Sequence, residues 1–145
     1  MDVKNKTFNS FMRYYEREKD LAKFVAVCHE TVKSPKSTPL IRGEVCECVL
    51  YVMLQEYIRR NNLTDWRISK GLILKDLKAS KDSGYLAELD ITLFTPKCIF
   101  AFECKSYRGE KYLKDKGTLV VKTGGRFKEK LDVFQQHYNH FTTLN

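Results

Sequence analysis

Two short strings, Glu88-Leu89-Asp90 and Glu103-Cys104-Lys105, hold the residues of this 145-residue chain best suited to chemistry. The twelve residues Ile91 to Phe102 separate them, with Thr95-Pro96-Lys97-Cys98 at the middle. Together they offer paired carboxylates and a lysine. Metal-assisted phosphodiester cleavage needs such a set: acids to hold a divalent cation, and a cationic side chain beside them.

Dense Val, Ile, Leu and Phe on both flanks of a Pro-containing break predict two strands joined by a tight hairpin. With Pro96-Lys97 as a two-residue loop, Asp90 lies opposite Glu103 and Glu88 opposite Lys105. Opposed side chains share a face, with Cβ atoms roughly 5 Å apart. Alternation then gives one apolar face of Leu89, Ile91, Leu93, Phe100, Phe102 and Cys104. The other face runs from Phe94, Ile99 and Ala101 near the turn to Glu88, Asp90, Glu103 and Lys105 at the open end. Two carboxylates this close repel unless one takes a proton or a cation lies between them. Oxygen ligands so spaced suit Mg²⁺ or Mn²⁺. Lys105 could orient the attacking water or neutralise charge building on the phosphate. The plainer alternative is a polar sheet edge in which both acids pair with Lys105.

Several elements must position these residues. Apolar residues at three- and four-residue steps from Phe8 to Cys28 predict one helix over Phe8 to Lys33. The linker Ser34-Pro35-Lys36-Ser37-Thr38-Pro39 ends it and starts a second helix from Pro39 to about Arg60, with Thr38 as N-cap. Glu44 and Glu47 share a face of that helix, and either could complete a metal shell. Arg42-Gly43-Glu44 favours Glu44, because a glycine inside a helix points to a close approach there. Trp66 to Leu74 reads as a strand with Gly71 as a bend, and Asp76 to Gly84 as a polar connection. A short strand, Thr118 to Val121, and a last helix over about Phe127 to Thr143 complete an α/β order. On that helix Gln135, Gln136, His137 and His140 are polar residues suited to contacting substrate.

The length and ordinary composition predict a single domain with a proper core. A polar N-terminus and the lack of an apolar run long enough to span a bilayer predict a soluble, cytoplasmic protein without a membrane partner. Five cysteines without framework spacing read as buried reduced thiols, and none of their spacings suits zinc. Net charge is +8, and Lys97 to Lys130 holds ten cations against four acids. A basic surface beside an acid cluster fits a polyanionic substrate, since phosphate contacts dominate nucleic-acid affinity.

Arg42-Gly43-Glu44 on a helix, Glu88-Leu89-Asp90, then Glu103-Cys104-Lys105 resembles the PD-(D/E)xK, restriction-endonuclease-like nucleases, and most closely their nuclease-related domain (NERD) family. The family's last motif, Asn-Pro-x-x-Gln-x-x-x-His, is matched by Gln136 and His140, with Asp132-Val133 where Asn-Pro stands. The resemblance covers roughly Ile41 to Leu144 and implies a mixed central β-sheet flanked by helices over 39–145, with 1–33 as an N-terminal helical extension. It implies that Asp90, Glu103, the Cys104 carbonyl and Glu44 hold Mg²⁺ or Mn²⁺, that Lys105 is the catalytic lysine and that Gln136 orients the site. It also implies a strand after the last helix; none is evident before Asn145, which predicts a homodimer or a further C-terminal part.

The leading functional expectation is a Mg²⁺-dependent nuclease acting on DNA. The alternatives are a nucleic-acid-binding module of the same fold that does not cut, and a protein-interaction domain.

Overall fold

The computed structural model describes residues 5–75, 86–115, 117–133, 135, 136 and 138. The connection expected over 76–84 lies outside the described residues, as do His137 and His140. The chain forms two compact units, Met1–Leu72 with Asp90–Ser106, and Ile73–Leu89 with Tyr107–Asn145. The α/β class holds, with three helices and the strands divided between two three-stranded sheets. Among the described residues, no helix is long and apolar enough to cross a membrane.

The first unit begins with α1 (Lys6–Glu18) and α2 (Leu21–Lys33), where one continuous helix was expected. The chain breaks at Lys19, which takes a left-handed φ of 52°, and restarts at Asp20, whose carboxylate accepts the Lys23 N–H at 3.0 Å. An aspartate in that position satisfies an amide the new helix would otherwise leave unpaired. α3 (Pro39–Arg60) starts as read, with Thr38 Oγ1 accepting the Ile41 N–H at 3.2 Å and Pro39 in the first turn. The three helices bury Phe8, Tyr15, Phe24, Cys28, Val45, Cys48 and Val52 in one core.

Strands β1 (Arg67–Lys75), β2 (Leu86–Phe94) and β3 (Ile99–Phe102) form a sheet in that order. Gly71 in β1 takes a φ of 63°, a bend only glycine adopts at little cost. β2 and β3 pair antiparallel from Phe94↔Ile99 to Ile91↔Phe102, with Pro96 and Lys97 at the tip of the loop. Burial follows the strands more than the faces. Ile91, Thr92 and Leu93 of β2 are all covered, so both its faces are packed, whereas Ile99 and Phe100 of the edge strand are exposed.

In the second unit β4 (Glu110–Leu113), β5 (Thr118–Thr123) and β6 (Arg126–Asp132) form the other sheet, in that order. β6 replaces the first part of the expected last helix. Thr123 pairs with Arg126, and Gly124 and Gly125 fill the two loop positions with φ of 57° and 76°. A two-residue turn with both φ positive matches the twist of paired strands, so it drives the chain back along β5 as a hairpin. Helical backbone follows at Val133, Gln135, Gln136 and Tyr138.

Candidate active site

Asp90 and Glu103 are the next residues beyond Ile91↔Phe102, the last pair of the β2–β3 ladder. There the strands part, and a side-chain contact takes over from the ladder. The Cys104 N–H donates to Asp90 Oδ2 at 2.7 Å. This bond pins the aspartate to the segment that bears Glu103 and Lys105. Lys105 Nζ in turn donates to Glu103 Oε1 at 2.5 Å, with the lysine 29% and the glutamate 12% exposed. The hairpin therefore brings Asp90, Glu103, Cys104 and Lys105 together at its open end.

The two helix acids part company. Glu44 is 4% exposed, and its carboxylate accepts three backbone amides of α1. Asn5 N–H reaches Oε1 at 2.7 Å, and the Thr7 and Phe8 N–H groups reach Oε2 at 2.8 and 3.1 Å. Both oxygens of the residue favoured as helix ligand are thus held at the N-terminus of α1. Nor does the close approach occur at Gly43, where an added Cβ would meet nothing within 4 Å. Glu47, one turn further along, is the helix acid whose charge acts on Asp90. Its Oε2 accepts from Lys70 Nζ of β1 at 2.7 Å. Lys70 also donates to Asn5 Oδ1 at 2.8 Å and lies 4.7 Å over the Phe8 ring.

Gly43 favours Glu44 over Glu47 in the sequence, and nothing around Lys70 marks it as a neighbour of Glu47. The available signal was spacing: Glu47 is three residues from Glu44, and Lys70 stands on the strand before the hairpin. Gln136 is half-buried on the helical backbone of the second unit.

The electrostatics follow from this crowding. Burial is the largest influence on Asp90 and pushes its pKa from 3.8 up to about 6. The Cys104 N–H and Lys105 pull it down, while the charges of Glu103 and Glu47 push it up. Burial likewise pushes the Cys104 thiol up to about 12, with nearby carboxylates adding to the effect. A thiol so disfavoured as thiolate is a poor nucleophile and a poor metal ligand.

A hard divalent cation is therefore matched by oxygen donors. Among the described residues, no group of three or more His, Cys, Asp or Glu side chains could hold a metal ion. Asp90 and Glu103 are two carboxylates, a number that suits Mg²⁺, which keeps several waters and takes further oxygens from phosphate. The pressure of burial and of two neighbouring acids on a half-buried Asp90 is what a bound cation would relieve.

No curated protein and no solved structure matches the chain. The model of the nuclease-related domain family matches residues 42–145, which includes α3 from Arg42 onward, the hairpin and the second sheet. The chain belongs to the nuclease-related domain (NERD) family, its site acids lying within the matched region and helices α1 and α2 preceding it.

Proposed function

We propose that this protein is a Mg²⁺- or Mn²⁺-dependent nuclease that hydrolyses DNA phosphodiester bonds. The observation that carries this reading is the meeting of Asp90 and Glu103 at the end of the hairpin, with Lys105 on Glu103. Asp90 and Glu103 would hold the metal, with the Cys104 carbonyl as a further oxygen ligand. Glu47 takes the helix-acid role in place of Glu44, whose oxygens are committed to α1. When bound, the cation supplies Lewis-acid charge at the phosphate. Lys105 exchanges Glu103 for a phosphate oxygen as substrate arrives, and so stabilises charge that grows in the transition state. Gln136 keeps its place in the family's last motif, and its part is tested by Gln136→Ala.

A second reading, a nucleic-acid-binding module that does not cut, has one observation in its favour. Lys105 already neutralises Glu103, so that pair is complete without a metal. Incubation with supercoiled and linear DNA, in Mg²⁺ or EDTA, separates the two. The nuclease reading expects metal-dependent products, lost by roughly a hundredfold or more in Asp90→Ala and Lys105→Ala. Binding without cleavage by folded wild-type protein favours the second reading, and cleavage that persists in EDTA removes the metal from the first. Cleavage unaffected by Lys105→Ala removes the role given to that lysine.

A further inference from the structure

The β4-β5-β6 sheet carries an arrangement that the hydrolytic centre does not use. The register sets Tyr112 opposite Val120 and Lys122 opposite Phe127, so by alternation these four share one face. Val120 is its floor at 5% exposed, and the rings of Tyr112 and Phe127 stand on either side with centroids 6.2 Å apart. Both rings face water, Tyr112 at 45% and Phe127 at 66% exposure. Lys122 Nζ lies 5.4 Å over the Phe127 ring. The two acids of this face are engaged, Glu110 by the Tyr112 hydroxyl and Glu129 by Lys114. By the same alternation, exposed Lys111, Arg126 and Lys128 belong to the opposite face, which leaves Lys122 as the cation beside the rings.

A strand that keeps a phenylalanine two-thirds exposed leaves apolar area in water that a partner could cover. Lys122 beside the rings makes that partner an anion, and two exposed rings make it one with flat rings of its own. We propose that this face binds single-stranded nucleic acid, with bases stacked on Phe127 and Tyr112 and phosphate held by Lys122. A duplex hides its base faces and would reach the Lys122 charge alone. The inference rests on the nuclease reading only in making single strands the preferred substrate; binding itself is independent of cleavage.

The test is fluorescence anisotropy of the full chain with a labelled thymidine oligonucleotide or a matched blunt duplex, in EDTA. The single strand is expected to bind at least about tenfold tighter than the duplex. Phe127→Leu keeps apolar cover over Val120 but removes the stacking ring. It is expected to weaken single-strand binding by about five- to a hundredfold and leave the duplex unchanged, whereas Phe127→Trp retains binding. Equal affinity for strand and duplex, or for wild type and Phe127→Leu, overturns the proposal. On wild-type protein, photo-cross-linking of an oligonucleotide carrying a halogenated uracil should map to Phe127 or Tyr112; cross-links confined to other residues overturn it as well. Single-strand binding without metal-dependent cleavage would remove the nuclease reading alone. Cleavage without strand preference would remove this one alone.

Discussion

Lys70 and Glu47 form an ion pair at 2.7 Å in which the lysine is 14% and the glutamate 17% exposed. The same ammonium holds Asn5 at the start of α1, so one charge ties β1, α3 and the N-terminal helix together. Lys70→Met would leave a largely buried carboxylate without its cation. It is expected to cost about 3 kcal/mol in urea denaturation, with Lys70→Met/Glu47→Leu recovering most of the loss. A single variant as stable as wild type would contradict this account.

Glu44 and Glu47 should separate by phenotype. Glu44→Gln weakens three amide contacts to a buried carboxylate and is expected to lower stability by about 1–3 kcal/mol. Glu47→Gln is expected to reduce Mn²⁺ affinity and cleavage by roughly tenfold or more. Thermal melts and metal titration of both variants decide it; equal metal binding by Glu47→Gln and wild type would return that glutamate to a structural role.

The pH dependence has a definite sign at Asp90. Its folded pKa of about 6 lies above its ordinary value of 3.8, so the native state keeps a proton that the unfolded chain gives up between them. The stability this contributes is complete below about pH 4 and lost as pH rises through about 6. Asp90→Asn is therefore expected to gain on the order of 1–2 kcal/mol at pH 7 and nothing at pH 4. The same proton must leave for a cation to bind, so Mn²⁺ affinity should fall steeply below about pH 6. Melting and titration series across this range would show a flat difference if the site were not protonated as described.

Thiol chemistry offers a check on burial. Cys98 is exposed on the hairpin loop, while burial pushes Cys28, Cys48 and Cys104 up to about 12. Iodoacetamide at neutral pH should label Cys98 first and leave those three protected until the protein unfolds. Mass spectrometry of timed samples measures the order, and early labelling of Cys104 would mean an open site.

The hairpin register and the start of α3 were legible because each is fixed by adjacent residues, Pro96-Lys97 in one case and Thr38-Pro39 in the other. The α1–α2 break was hidden because the apolar spacing runs on through Lys19 and Asp20, and only the local backbone reverses. Gly124-Gly125 sets the β5–β6 hairpin, but the residues after it allow a helix from Phe127 as readily as a returning strand, and only pairing with β5 decides between them. Which helix acid turns toward Asp90 depends on how α1 docks against α3, a tertiary fact with no trace in the spacing of Glu44 and Glu47.

The three amides held by Glu44 also constrain how the protein folds. Asn5 supplies no side-chain cap, so the start of the 13-residue α1 depends on a carboxylate 36 to 39 positions downstream. A helix that short is marginal in water on its own. α1 should therefore form late, after α3 has placed its carboxylate, and its amides should exchange with solvent only when the whole unit opens rather than by fraying from the end.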